Sequence, residues 1–263
     1  MTNFICIGVP YYIGDRFEER TEVEAIEKSG FAAEIGAEWV TIAPDFEAAP
    51  DKLTAVNRAL AEVIKAHSNW LPIVFASDCI ASLGLLKGVE PKKPVVVWYD
   101  AHGDFNTDET SPSGFLGGMP LAWLVGDGNQ QYMQGVDLVP VPQTDVIMID
   151  GRDLDPGEDV RLENSQVAYL KDVNDLLTHP LPAKPLHLHI DTDVVDIKEL
   201  PGMNYPAPDG PSLAEVNATL KRLATEGDVV GLSFSLWNDS LPTEGKSLAG
   251  VLGMARTVVD AMG

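Results

Sequence analysis

Two short stretches of the chain concentrate side chains that can bind metal ions. In DAHGDF, Asp100, His102 and Asp104 occupy alternate positions directly after the apolar run VVVWY. In HIDTDVVD, Asp191 and Asp193 follow a second apolar run. Residues two apart on an extended chain point the same way, so each stretch presents its metal-binding side chains to one side.

The chemistry of these side chains indicates a metal centre. If the two apolar runs form neighbouring strands, four carboxylates and one imidazole converge at one sheet edge. So many acids repel one another unless cations lie between them. Such ligands suit Mn²⁺ and, less specifically, Zn²⁺, Fe²⁺ or Co²⁺. Bridging carboxylates can hold two ions, which lower the pKa of a bridging water. The sequence therefore predicts a two-metal hydrolytic centre.

The remainder of the chain alternates short apolar runs with amphipathic segments. The apolar runs mostly lack polar alternation, which is typical of strands covered on both faces by helices. The predicted strands span residues 4–9, 39–43, 71–76, 94–99, 145–149, 166–170, 186–190 and 229–234. The clearest helical segments span residues 52–66, 212–224 and 246–262. This alternation predicts an α/β protein, a three-layer α/β/α fold with a central parallel sheet of about eight strands, in one domain over residues 1–263.

The amino-acid composition limits the classes of binding partner and the cellular compartment that we expect for this protein. The chain has 263 residues and a formal charge of −22, from 40 acidic and 18 basic residues. This charge repels nucleic acid and attracts small cations, although solubility or a salty cytoplasm explains it equally well. Two cysteines, Cys6 and Cys79, form no disulfide framework, and the chain shows neither a signal peptide nor an apolar run long enough for a membrane span. We expect a cytoplasmic protein that binds neither nucleic acids nor membranes.

Several motifs resemble those of the ureohydrolase family, which comprises arginases, agmatinases and formiminoglutamases. DAHGDFNT is similar to the family motif DAHxDxNT, and HIDTDVVD to SxDxDxxDP. The segments GRDLDPGE, SGFLGGMP and PGMNYPAP resemble the arginase segments GLRDVDPGE, SGNLHGMP and PGTGTPVP. The resemblance covers nearly the whole chain. It implies an arginase-like fold, a small-molecule amino-acid substrate and a homo-oligomer, either a trimer or a hexamer.

The resemblance also implies roles for the metal-binding residues. Asp100 and Asp191 correspond to bridging carboxylates, His102 and Asp193 complete one metal site, and Asp104 belongs to the other. The family motif GGDHS is matched here by ASDCI, so Cys79 takes the place of a metal-binding histidine. The implied metal ligands are Cys79, Asp100, His102, Asp104, Asp191 and Asp193. Two Mn²⁺ ions are expected, and the softer thiolate makes Zn²⁺ or Fe²⁺ a stronger competitor.

The loops of the family that hold the substrate have counterparts here. The resemblance assigns Asn106, Ser111 and Ser113 to the α-carboxylate of a substrate, and Asp155 and Glu158 to its α-amino group. Amide and hydroxyl groups suit a carboxylate, and acids suit an ammonium group. The matched loops therefore imply a free α-amino acid as substrate.

Two departures from the family pattern bear on the reaction. Gly117 stands where the family has a catalytic histidine, and Leu236 stands where it has a glutamate. Neither can transfer a proton or pair with a guanidinium group, and Gly117 leaves space for an extra substituent on the guanidine. The motifs DC, LGGM and HID are similar to those of the hydroxyarginine hydrolases in this family. We therefore expect an amidinohydrolase acting on a guanidine or N-hydroxyguanidine amino acid, with Nω-hydroxy-L-arginine as the favoured substrate. The candidate catalytic residues are Asp104 and Asp193, and either Asp104 or solvent protonates the leaving amine.

Two other functions stay open at this point. A deacetylase-like amide hydrolase with one zinc ion would share an Asp-x-His ligand pair, but it would not need Asp104 and Asp193. A catalytically altered or inactive relative would bind an amino acid or regulate a true hydrolase, consistent with the residues at positions 117 and 236. Retention of the acidic and imidazole ligands opposes this second alternative. His187 and His189 are interpreted as core or supporting residues rather than ligands.

Overall fold

The protein is built around one eight-stranded sheet in which every pair of neighbouring strands is parallel. The computed structural model describes residues 2–263. The strands are β1 (Phe4–Val9), β2 (Glu38–Thr41), β3 (Leu71–Ala76), β4 (Val95–Asp100), β5 (Val146–Asp150), β6 (Ala168–Leu170), β7 (Leu186–Asp191) and β8 (Val229–Ser235). Their order across the sheet is β2-β1-β3-β8-β7-β4-β5-β6. The predicted α/β fold class and the strand count are thus confirmed.

Helices cover both faces of this sheet. They are α1 (Glu22–Lys28), α2 (Phe31–Glu34), α3 (Lys52–Ala66), α4 (Ser82–Val89), α5 (Pro120–Leu124), α6 (Gln131–Gly135), α7 (Glu158–Asn164), α8 (Leu213–Glu226) and α9 (Lys246–Met262). Phe75 points into a core shared with α1, α8 and α9, while its neighbour Val74 points into a core shared with α3 and α4. This alternation along a single buried strand produces the three layers.

Two helices begin at caps that the sequence encodes. Ser212 accepts a hydrogen bond from the Glu215 backbone N–H, and the Glu215 side chain accepts one from the Ser212 backbone, which forms a capping box at the start of α8. Asp51 caps α3 by accepting a hydrogen bond from the Thr54 N–H at 2.8 Å. No helix among residues 2–263 has the length and apolar character needed to cross a bilayer.

The sheet order brings the two metal-competent stretches together. β4 and β7 are neighbours, and Tyr99 lies opposite Ile190 in their register. Asp100 and Asp191 therefore leave the same edge of the sheet at the same level. β8 pairs with β7 on the other side, with Ser235 opposite Asp191. The residues after β3, β4, β7 and β8 consequently share one end of the sheet.

Candidate metal centre

Three residues from two strand ends form one metal-capable group. Cys79, Asp100 and Asp104 each offer a ligand atom, and these atoms all lie within 4.8 Å of one another. Cys79 lies in a short 3₁₀ turn after β3, and its Sγ donates a hydrogen bond to Asp191 Oδ2 at 2.9 Å. The contact places Asp191 beside this group.

A second group shares Asp100 with the first. It consists of Asp100, His102 and Asp193, again with ligand atoms within 4.8 Å of one another. His102 Nδ1 lies 3.0 Å from Asp193 Oδ2 and 3.5 Å from Asp100 Oδ1. The structure thus brings five of the six expected ligands into two groups that share Asp100, and the sixth, Asp191, lies beside the first group through its contact with Cys79.

The carboxylates of this cluster are buried, and one of their oxygens lacks a hydrogen-bond partner within residues 2–263. Asp104 is 5% exposed, and its Oδ2 has no hydrogen-bond partner among the described residues. Burial, together with the charges of Asp100 and Asp191, raises the pKa of Asp104 well above its ordinary value. Burial and the neighbouring Asp193 raise the pKa of Asp191 to about 7. Divalent cations would supply the missing partners and stabilise the ionised carboxylates, so the residues fit a metal centre.

The negative charges of these carboxylates favour the protonated form of the His102 imidazole. Burial of His102 favours its neutral form, but hydrogen bonds to Asp100 and Asp193, with their charges, raise its pKa to about 12. The protonated ring therefore supplies a positive charge between Asp100 and Asp193. A metal ion needs the neutral imidazole, so binding an ion releases that proton.

Neighbouring groups fix the orientation of the carboxylates. The Trp98 indole Nε1–H donates to Asp100 Oδ2 at 3.1 Å, and the His102 N–H donates to Asp100 Oδ1 at 2.8 Å. The Ala101 N–H donates to Asp193 Oδ1 at 3.2 Å. Such supporting hydrogen bonds hold ligands in position before an ion arrives.

His187 and His189 lie beneath this cluster as buried polar residues. His189 Nδ1 lies 3.1 Å from Ser82 Oγ and 2.9 Å from Ser233 Oγ, and its ring packs on Trp98 with centroids 3.8 Å apart. Burial lowers the pKa of His187 to about 3, which keeps that ring neutral. Neither histidine belongs to a metal-capable group of the described residues, which agrees with their interpretation as supporting residues.

Arg152 joins the loops that follow β5 and β7, a role the sequence analysis missed. Its guanidinium group donates to the backbone carbonyls of Asp193, Val194 and Ala207 at 2.9, 3.0 and 3.0 Å. It also forms a mostly buried ion pair with Asp150. Burial raises the pKa of Asp150 to about 7 despite this pair. The only sequence signal was a basic residue inside the motif GRDLDPGE.

The cluster forms the floor of a cavity of about 710 Å³. Among the predicted substrate residues, those that line it are Asn106, Ser113, Gly117, Asp155, Glu158 and Leu236. Ser111 is not among the lining residues, and its Oγ accepts a hydrogen bond from the Gly114 N–H. The charged lining residues are all acidic apart from His102. The cavity therefore favours a cationic ligand.

The two acidic residues predicted to bind the substrate differ in how free their oxygens are to accept hydrogen bonds from a ligand. Both Glu158 oxygens accept backbone hydrogen bonds, from the Phe105 N–H at 2.9 Å and the Asp155 N–H at 3.0 Å. Asp155 lies exposed at the rim, where it accepts a hydrogen bond from Asn106 Nδ2 at 2.9 Å. Asp155 is thus the acid free to meet an ammonium group, while Glu158 fixes the loop that carries Asp104.

Aromatic side chains occupy the part of the cavity near Gly117. A Cβ atom at Gly117 would lie 2.4 Å from the Phe115 ring, so the space expected at this position is filled by that ring. Phe115 in turn packs on Tyr205, with ring centroids 5.2 Å apart. Neither residue was predictable from the sequence, because single aromatic residues in loops form no periodic pattern.

Comparisons with known proteins identify the family to which the chain belongs. The sequence profile of the arginase family matches residues 20–238. The N(omega)-hydroxy-L-arginine amidinohydrolase of Streptomyces lavendulae is 29% identical over 231 residues, covering 85% of this chain and 80% of that protein. The crystal structure of arginase from Bacillus cereus superposes with a TM-score of 0.86 at 25% identity, over 98% of both chains. Entamoeba histolytica arginase in complex with L-ornithine gives a TM-score of 0.82 at 23% identity, over 98% of this chain and 99% of that chain. The predicted resemblance is therefore confirmed, and the chain belongs to the arginase family.

Proposed function

We propose that the protein is a metal-dependent amidinohydrolase whose preferred substrate is Nω-hydroxy-L-arginine. The observation that carries this proposal is the pair of metal-capable groups sharing Asp100 on the floor of an acidic cavity. Membership of the arginase family and the similarity to the Streptomyces enzyme support the reaction class.

The cluster offers ligands for two divalent ions. Cys79 and Asp104 would belong to one ion, His102 and Asp193 would belong to the other, and both would share Asp100. Asp191, which contacts Cys79, is the proposed second bridge. Two bound ions, Mn²⁺ by preference, would supply Lewis acidity and a water of lowered pKa as nucleophile.

Leu236 selects against a fully charged guanidinium group. It lines the cavity and is 6% exposed, so a cation beside it would lose hydration without gaining an ionic partner. N-hydroxylation withdraws electrons and lowers the basicity of the guanidine, so a larger fraction of the substrate is neutral near pH 7. The desolvation free energy that opposes placing the guanidine group beside Leu236 is therefore smaller.

The remaining proposed roles follow from position and polarity. Asn106 and Ser113 bind the α-carboxylate, and Asp155 binds the α-amino group. With Gly117 unable to donate a proton, Asp104 and Asp193 are the proposed acid–base groups, and solvent is the alternative proton donor for the leaving amine. Asp104 is the stronger candidate, because its buried Oδ2 has no hydrogen-bond partner among the described residues.

A steady-state comparison of arginine, Nω-hydroxyarginine, agmatine and formiminoglutamate with Mn²⁺ present tests the proposal. We expect hydroxyarginine to give the highest kcat/KM, with hydroxyurea as product. A higher kcat/KM for arginine would refute the substrate assignment. Turnover of none of the four would instead favour a non-catalytic amino-acid-binding protein, consistent with the residues at positions 117 and 236.

A further inference from the structure

Three aromatic residues from three loops line the cavity. Tyr12 follows β1, Phe115 follows β4 and Tyr205 follows β7. The Tyr205 ring packs on Phe115 at 5.2 Å and meets the His102 ring edge-on at 6.4 Å. Burial, followed by the neighbouring Tyr205 hydroxyl, raises the pKa of Tyr12. The Phe115 and Tyr205 rings therefore form a continuous surface that reaches a candidate metal ligand. We call these two residues the aromatic wall.

Contacts from Arg20 and Asp78 hold Tyr12 and its neighbour Ile13 in place. The Arg20 guanidinium lies 4.3 Å from the centre of the Tyr12 ring and pairs with the fully buried Glu22 at 2.8 Å. Ile13 has a φ of +50°, which is strained for a β-branched residue, and its N–H donates to Asp78 Oδ2 at 2.5 Å. These contacts fix Tyr12 beside Tyr205.

The aromatic wall stands where ionic recognition of the amidine group is missing. Gly117 and Leu236, at positions where the family resemblance implies a histidine and a glutamate, carry no ionic group, and Phe115 fills the space over Gly117. Among the described residues that line the cavity, His102 is the one basic side chain, and it is a candidate metal ligand, so a flat group beside Phe115 and Tyr205 meets ring faces rather than a cation. Planar guanidine groups stack favourably on aromatic rings.

We propose that Phe115 and Tyr205 are specificity-determining residues that recognise the plane of the amidine group by stacking. This inference rests on the proposed function, since it assigns the side chains that bind the reacting group of the substrate. It explains how a site without the usual ionic partner distinguishes an amidine from a simple alkylamine.

Calorimetric titrations of the Mn²⁺-loaded protein with arginine and with ornithine test the proposal. Arginine carries a planar amidine and ornithine carries only an amine, while both share the α-amino acid end. Phe115→Leu and Tyr205→Leu should each weaken arginine binding roughly fivefold, the size expected for one cation–π or stacking contact. Ornithine binding should weaken less than arginine binding, because the ammonium group of ornithine is not planar and cannot stack face to face on a ring.

Tyr205→Phe is the matched control, since it retains the ring and should retain the arginine affinity. Unchanged arginine binding in both leucine variants would overturn the proposal, as would an equal loss for arginine and ornithine or a wild-type protein that binds no arginine. The titration requires no turnover. Absence of hydrolysis by the wild-type protein would therefore refute the proposed function alone, while a selective loss of arginine binding would still support the aromatic wall.

Discussion

At the scale of single residues, Cys79 is the most consequential substitution in the cluster. Burial and the charges of Asp191, Asp104 and Asp100 raise the pKa of this thiol well above its ordinary value. The group is therefore a neutral thiol before metal binds, and it must lose a proton to serve as a ligand. A thiolate also prefers softer ions than Mn²⁺, so this side of the cluster should bind Mn²⁺ more weakly than an imidazole would.

Cys79→His should consequently raise the Mn²⁺ affinity of the protein. We expect at least a tenfold gain, on the order of the effects known for ligand changes at metal sites, together with weaker competition by Zn²⁺. Equilibrium dialysis followed by elemental analysis measures both quantities. Cys79→Ala is the control and should lower the affinity. If all three proteins bind Mn²⁺ equally, Cys79 is only a packing residue.

At the scale of secondary-structure elements, the site depends on loops held by contacts between strand ends. The Arg152 guanidinium ties the loop after β5 to the loop after β7, which carries Tyr205, and it pairs with Asp150. Arg152→Met would remove these hydrogen bonds and leave a buried carboxylate without its partner. A loss of about 3 kcal/mol in the free energy of unfolding is expected for breaking such a pair.

Urea denaturation measures this loss, and equilibrium dialysis should show weaker Mn²⁺ binding in the same variant. Arg256→Met is the matched control, because Arg256 forms a surface pair with Glu34 that contributes little to stability. Similar behaviour of the two variants would show that Arg152 does not organise the site.

The sequence was most informative where elements are fully buried. The interior strand β3 was predicted with its observed limits, since a continuous apolar run marks a strand covered on both faces. The edge strands β2 and β6 are shorter than predicted and only partly buried, so apolar pattern defines their ends poorly. The same logic applies to the site. Asp100 and Asp191 follow buried strands and were predictable, whereas the contacts of Arg152, Phe115 and Tyr205 depend on loop conformations that leave no periodic signal.

At the scale of the whole molecule, clustered acids should make the metal-free protein sensitive to pH. Burial raises the pKa values of Asp78, Asp150 and Asp191 to about 6, 7 and 7, from about 4 in an unfolded chain. The folded state therefore binds these protons more tightly than the unfolded state. Stability from these groups is complete below pH 4 and is lost as the pH rises through about 7.

Thermal unfolding of chelator-treated protein should accordingly show a falling Tm between pH 5 and pH 7.5. Protein saturated with Mn²⁺ is the control, and its Tm should fall less or rise, because bound cations stabilise the ionised carboxylates. A metal-free protein that gains stability over this interval would contradict the assigned electrostatics of the cluster. Assembly into a trimer or hexamer stays a prediction, which analytical ultracentrifugation can measure.

A two-metal centre in this chain would be shown by the number and position of the ions that it binds. Elemental analysis of protein saturated with Mn²⁺, combined with anomalous scattering from its crystals, gives both number and position. We expect two ions per chain, one beside Cys79 and Asp104 and the other beside His102 and Asp193, with Asp100 between them. One ion or fewer per chain at saturation, or ions bound away from Asp100, would contradict the account.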